Sequence, residues 1–352
     1  MIANIPWEEL TEKVAAGQSL DEVEATQMAI WMADDNGNFD GKKNFLRALN
    51  QKGESVEEVY AFAKTFRNLA RRVPALMNPP VAIDIVGTGG DKSGTFNISS
   101  ATSLIVAAAG VNVMKHGNRS ITSESGSADF LSGVGVPLEA PDGKLTDSFE
   151  KNHYCFFYAP NFHPTYKAFM PVRKALAAEG HKTVFNILGP LIHPANPPMY
   201  LLGVFAEKWV DLLAAVLERL GVKRGLVCHC ALPEGGGLDE LATAGKNRVH
   251  GVGELAEVNG VWLPGDFGLA ESPRTDLLGG DPEENRILFG DFLNGAAPQG
   301  LQDTIVLNAG AALWVAGKVP SVREGILLAG DLLGDGTVRR FIQKLREFYQ
   351  QP

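Results

Sequence analysis

Asp84-Ile-Val-Gly-Thr-Gly-Gly-Asp91, followed closely by Thr95-Phe-Asn-Ile-Ser-Ser100, carries the strongest signal of chain architecture. Residues 81–86 are short and mostly apolar, and glycines follow at once, as in a buried strand entering a loop. A helix is expected over 100–109 and a second strand over 111–114. Strand, loop, helix, strand in that order argues for an α/β domain. Glycine permits positive φ and lets a ligand come close to the backbone. Ser99 and Ser100 stand where the helix begins, so its unpaired N–H groups face the loop. Together these features make an anion site. Asp91, Asn97 and Ser99 add oxygen groups suited to a hydroxylated, metal-bound ligand. Two common phosphate loops are excluded, because both need glycine where Lys92 stands.

Outward from this loop the alternation continues, with a strand expected over 199–205, a helix over 206–220 and a strand over 225–230. Helices are expected over 303–318 and 337–349. Upstream, residues 1 to about 72 read as helices. Capping boxes are expected at Ser19-Leu-Asp-Glu22 and Ser55-Val-Glu-Glu58, each a hydroxyl with a carboxylate three residues on. The run from Asn44 to Leu49 is helical in pattern and stops near Gly53. Residues 72–80 end in Pro79-Pro80 and read as a linker, since paired prolines neither donate nor continue a helix.

The 352 residues are 45% hydrophobic and 21% charged, ordinary for a globular chain with a sizeable core. A formal net charge of -9 offers no basic face for nucleic acid. Three cysteines, Cys155, Cys228 and Cys230, make no disulfide framework and suit a reducing cytosol. The N-terminus lacks a signal-like apolar core, and no apolar run is long enough for a membrane span. The expectation is a cytoplasmic protein.

Further chemistry-bearing segments follow. Lys115-His-Gly-Asn-Arg119 supplies charge for phosphate directly after a strand. Ser123-Glu-Ser-Gly-Ser-Ala-Asp129 is rich in hydroxyls and precedes a helix. Beyond them lie Ala159-Pro-Asn-Phe-His-Pro164, Thr183-Val-Phe-Asn-Ile-Leu-Gly-Pro190, Gly237-Leu-Asp-Glu240, Pro264-Gly-Asp-Phe-Gly-Leu269 and Leu307-Asn-Ala-Gly-Ala-Ala312. In this order and spacing the set resembles the anthranilate phosphoribosyltransferase family over nearly the whole chain.

The resemblance implies a nucleoside-phosphorylase-like (type III) phosphoribosyltransferase fold: a small helical domain beside a large α/β domain with a central mixed sheet. The small domain is expected over 1–75, joined by a helical insertion around 164–182, and the large one over 80–352. The implied reaction moves the ribose phosphate of phosphoribosyl pyrophosphate (PRPP) onto the amine of anthranilate. By resemblance, the PRPP contacts are Gly87, Gly90, Asp91, Thr95, Asn97, Ser99, Ser100, Lys115, Ser123 and Ser127. Anthranilate falls to Gly87, Asn118, His163, Tyr166 and Arg173, and Mg2+ to Ser99, Asp239 and Glu240. The family implies a homodimer joined through helical domains. No covalent intermediate is expected, and no catalytic side chain is assigned.

Glu124 stands where the family commonly has lysine, Lys182 where it has arginine, and His193 where it has asparagine. The segment 228–237 is longer and richer in cysteine than usual. Zinc at Cys228, His229 and Cys230 is disfavoured by spacing; a buried strand end is expected there instead. A pyrimidine nucleoside phosphorylase of the same fold and a non-catalytic nucleic-acid-binding relative are the competing readings.

Overall fold

The computed structural model describes residues 5–119 and 125–351. Four helices open the chain: α1 (Trp7–Ala15), α2 (Glu22–Ala33), α3 (Phe39–Lys52) and α4 (Val56–Asn68). The capping box expected at Ser55 is present: its side chain accepts from the Glu58 N–H, and the Glu58 carboxylate accepts from the Ser55 N–H. At α2 the box is displaced by two residues, with Asp21 as N-cap and Glu24 as its partner. Asp21 takes the N–H groups of Val23 and Glu24, both at 2.9 Å. Ser19 instead lies 3.3 Å from the Lys52 amine. A carboxylate competes well for the cap position, and Asp ranks with Ser there. Glu58 is fully buried, pairs with Lys52 at 2.8 Å and accepts the Leu20 N–H at 3.0 Å, pinning the entry of α2 to α4.

The central sheet has strands β1 (Ile83–Gly87), β2 (Val113–Gly117), β3 (Tyr154–Tyr158), β4 (Met199–Gly203), β5 (Arg224–Ala231), β6 (Gly237–Leu238), β7 (Lys246–Gly253) and β8 (Asn259–Trp262). Their order is β3-β2-β1-β4-β5-β7-β8, with β6 paired to β5. The run from β3 to β5 is parallel, whereas β6 and β7 pair antiparallel with β5. The sheet is therefore mixed, as expected.

The chain crosses from β1 to β2 on one side and later returns to β4 on the other. Such a reversal opens a crevice at the carboxyl ends of the strands, where ligands bind in open α/β sheets. The glycine loop leaves β1 at that point.

Alternate residues of the sheet feed two cores. Ile83, Ile85, Phe156, Leu201 and Leu226 pack under α5 (Ile98–Ala108) and, near the C-terminus, a helix over Gln299–Val315. Val86, Tyr200, Leu202 and Val227 pack against α4 and a helix over Lys208–Arg219.

The segment after β3 turns through two short helices into a helix over Met170–Ala178. Phe169 from its start stacks on Phe185 at 3.8 Å, and Phe66 of α4 meets both edge-on at 5.3 and 5.4 Å. This aromatic cluster seals 164–188 to the first helices. Among the described residues no helix is long and apolar enough to cross a membrane.

Candidate active site

From Gly87 the chain passes through Gly89 (φ 67°) and Gly90 (φ 78°), a left-handed conformation that glycine takes without strain. Lys92 takes it too, at φ 58°, at a cost of roughly 1–2 kcal/mol for a residue with a Cβ. Thr88 ties the loop to β4: its N–H reaches the Gly203 carbonyl at 3.0 Å, and its hydroxyl accepts the Phe205 N–H at 3.1 Å. Lys182 reaches over from the far side, donating to the Gly90 carbonyl at 3.3 Å and lying 3.4 Å above the Phe205 ring.

Two carboxylates enter from behind β6. Asp239 accepts the Gly89 N–H at 2.6 Å, and Glu240 accepts the Ser99 N–H at 3.2 Å. Ser99 lies in the first turn of α5, where N–H groups have no helical partner. Asp239 lies so close to the strand ends that a side chain at Gly203 would overlap its peptide carbonyl, and one at Gly87 its carboxylate. Burial raises both carboxyl groups, Asp239 well above the usual carboxylate range and Glu240 to about 8, with the neighbouring Asp91 pushing the same way. Lys115 is buried among these acids, its amine 2.6 Å from the Ile85 carbonyl and 3.4 Å from the Ser99 hydroxyl. Burial lowers its pKa, opposed by Asp84, Glu240 and Asp239.

Crowded acids of this kind suit a divalent cation. The fit is visible at Asp91, whose Oδ1 accepts the Ser93 N–H at 3.1 Å while Oδ2 is buried without a partner. Among the described residues no three His, Cys, Asp or Glu side chains form a ready metal cage. Magnesium characteristically binds through one or two carboxylates and completes its shell with substrate phosphate and water.

A cavity of about 620 Å3 runs along this loop. Gly87, Gly90, Asp91, Thr95, Asn97, Ser99 and Ser100 form one wall. Lys115, Asn118 and Ser127 continue it, with Asp239 and Glu240 at its base. Ser127, the first residue of the helix over Ser127–Gly133, donates to the Asn118 carbonyl at 3.2 Å. Ser123 and Glu124 lie outside the described residues.

Tyr166 and Arg173 line the opposite end. Arg173 contacts the Met170 sulfur at 3.9 Å and stands 5.8 Å from the Phe185 ring. Burial lowers its pKa, and among the described residues no carboxylate pairs with it. Burial also raises the Tyr166 phenol to about 12.

His163, expected among the anthranilate contacts, is placed behind the wall. Only 2% exposed, it touches His116 Nε2 to Nε2 at 3.2 Å, and it is His116 that lines the cavity. His193 packs on the other side of His116, ring centroids 5.4 Å apart. Its Nδ1 accepts the Ala195 N–H, so Nε2 carries the proton donated to the Met114 carbonyl. Burial holds His163 down to about 4 and His193 to about 3, so both rings are neutral near pH 7. Cys228, His229 and Cys230 are buried within β5, the strand end expected there, and the His229 ring is bonded to the Val204 carbonyl at 2.7 Å.

Sequence reasoning missed the second layer. Gly203, the Lys182 tie and Asn285, which bonds Asn97 at 3.1 Å, carry no motif of their own.

Comparison with known proteins identifies the fold and the family. A family model described as glycosyl transferase family, a/b domain, matches residues 79–339. The curated anthranilate phosphoribosyltransferase of Thermus thermophilus is 40% identical over 337 residues, covering 96% of this chain and 98% of that protein. A crystal structure of the Thermus thermophilus enzyme superposes with a TM-score of 0.86 at 39% identity, over 97% of this chain and 99% of that one. The fold also matches anthranilate phosphoribosyltransferase from Saccharomyces cerevisiae in complex with PRPP and Mg, with TM-score 0.84 at 24% identity, over 100% of this chain and 99% of the other. Matched in sequence and fold along nearly its whole length, the chain belongs to the anthranilate phosphoribosyltransferase family.

Proposed function

We propose that the chain transfers the 5-phosphoribosyl group of PRPP to the amine of anthranilate, giving N-(5-phosphoribosyl)anthranilate and pyrophosphate, as a step of tryptophan biosynthesis. The observation that carries the reading is one cavity with two unlike ends. At one end a glycine turn, a helix N-terminus and three carboxylates suit a metal-bound sugar diphosphate. At the other, an arginine that pairs with no carboxylate among the described residues stands beside an aromatic ring, suiting a flat carboxylate. Neither a nucleoside phosphorylase nor a nucleic-acid binder accounts for both ends.

In this reading Gly87, Gly90, Asp91, Thr95, Asn97, Ser99, Ser100, Lys115, Ser123 and Ser127 hold PRPP. Ser99, Asp239 and Glu240 hold Mg2+, which when bound neutralises charge on the departing diphosphate. Arg173 takes the anthranilate carboxylate, and Tyr166, Asn118 and Gly87 orient the ring. His163 contributes from behind, by fixing His116. The bond from ribose C1 to the diphosphate oxygen breaks, and its electron pair leaves with pyrophosphate. The aniline nitrogen lone pair forms the new bond to C1, and the amine then releases one proton. Aromatic amines are already unprotonated near pH 7, so holding the two reactants in line does most of the work.

We assign residues 1–75 and the insertion around 164–182 to a helical domain, and 80–352 to the α/β catalytic domain; the shared Phe66–Phe169–Phe185 cluster supports the first grouping. Val23 and Ile30 on α2 and Phe39 on α3 are large, apolar and exposed, which supports a homodimer joined through the helical domains. Free buried thiols suit a reducing cytoplasm.

The direct test is loss of anthranilate fluorescence on mixing with the protein, PRPP and Mg2+. Consumption is expected only when all are present; consumption without PRPP, or none with both, would sink the reading. Arg173→Ala is expected to raise the KM for anthranilate about 10- to 100-fold, the worth of a hydrogen bond to a charged group. It should leave the KM for PRPP nearly unchanged. An unaltered anthranilate KM would refute that role.

A further inference from the structure

Segment 274–285 contributes nothing to the cavity wall, yet it holds the glycine loop from Ser93 to Asn97. Arg274 donates to the Ser93 carbonyl at 2.6 Å, and Gly279 N–H reaches the Gly94 carbonyl at 2.9 Å. Thr95 bridges to Leu278, and Phe96 N–H donates to the Leu277 carbonyl at 2.9 Å. Gly279 permits this approach, since a Cβ there would lie 2.6 Å from Asn285 Oδ1 and 2.8 Å from the Phe96 Cα.

The last tie joins two side-chain amides, and the backbone groups around Asn285 fix its polarity. Asn285, 2% exposed, sits in the first turn of the helix over Pro282–Leu293. It receives the Gly280 N–H at 2.9 Å, so that atom is Oδ1. Its Nδ2 then donates one hydrogen to the Gly280 carbonyl and the other to Asn97, both at 3.1 Å. The Asn97 atom facing it is therefore the acceptor Oδ1. That oxygen also accepts the Ser125 hydroxyl at 3.2 Å, while Asn97 Nδ2 donates to the Ser125 carbonyl at 3.3 Å. An amide NH2 has two hydrogens. Asn97 lines the cavity with one of them still unassigned among the described residues.

We propose that Asn285 is a positioning residue for PRPP. Acting through Asn97, it turns that amide so that an N–H, rather than a carbonyl, is offered to the anionic substrate. The inference rests on the PRPP reading of the cavity. An anion wants donors, and an inverted Asn97 would present a lone pair to it instead.

The test compares Asn285→Ala with the isosteric Asn285→Asp, whose carboxylate accepts from Gly280 but cannot donate to Asn97. Both KM values, kcat and the melting temperature are measured. About a tenfold rise in the KM for PRPP is expected in each variant, with the KM for anthranilate at saturating PRPP within about twofold of the parent. The aspartate also brings a charge, so its PRPP ratio to the parent is measured at low and at high salt. An effect that survives screening supports the inverted amide; one that vanishes is through-space repulsion and overturns it. An unchanged KM for PRPP, or equal rises in both KM values, overturns the inference alone. A parent protein that shows no saturation by PRPP overturns the inference and the reading beneath it together. Should the alanine variant melt below the assay temperature, the aspartate variant decides.

Discussion

The Gly203→Ala protein is expected to lose about 100- to 1000-fold in kcat/KM while the rest of the fold survives. Gly203 ends β4, buried against the Asp239 peptide. A methyl group there would overlap the Asp239 carbonyl oxygen and carbon, which are backbone and have no rotamer to escape into. Overpacking of this kind typically costs about 1–3 kcal/mol, lowering the melting temperature by several degrees. The functional damage is larger because the strain is relieved by moving Asp239 and Glu240. A misplacement of about 1 Å costs roughly 100-fold in a site that depends on alignment, and here both carboxylates move together. Steady-state rates from anthranilate fluorescence, alongside a thermal melt, check this. Near-parental activity at an unchanged melting temperature would show that the packing is looser than described.

Asp239→Asn combined with Glu240→Gln should abolish turnover, by about 1000-fold or more. The two changes keep shape and hydrogen-bonding capacity toward Gly89 and Ser99, so the fold should persist. What they remove is the negative charge that would hold a divalent cation against the diphosphate. Such an ion contributes several kcal/mol to charge stabilisation at the reacting centre, and each 1.4 kcal/mol is about a factor of ten in rate. The variant should still melt cooperatively, and raising Mg2+ should restore little activity. Full activity in the double variant would remove both residues from the metal site.

Much of the α/β framework was legible because its signals are local. A strand that ends in glycines, a helix that starts with serines and the Ser55–Glu58 box each declare themselves within a few residues. The antiparallel edge was not. In β7 the inward positions are Asn247, Val249 and Gly251, so the apolar alternation that marks a half-buried strand is missing. Asn247 faces in because it bonds Ala242, Gly245 and Trp262. Gly251 does so because a side chain would strike the Leu255 carbonyl. Both reasons are tertiary.

The cavity wall was legible for a related reason, since its motifs sit on consecutive loops at the strand ends. His163 was harder to place, because sequence gives a residue's position on a loop but not which of two neighbouring rings stands in front. Asn285 carried no signal at all. Its partner Asn97 is 188 positions away, and only the three-dimensional meeting of the two amides reveals it.

The bonds from Asp239 to Gly89 and from Glu240 to Ser99 have a bearing on how the resting protein keeps its shape. The N–H groups suited to an incoming diphosphate already donate to the protein's own carboxyl oxygens, which act as understudies for the ligand. The turn is thus kept in a receptive form without paying the usual ordering entropy at each encounter. If Asp239 and Glu240 hold the cation as proposed, they would give up the Gly89 and Ser99 N–H groups to phosphate oxygens. Loading would then be an exchange of partners rather than the filling of an empty socket.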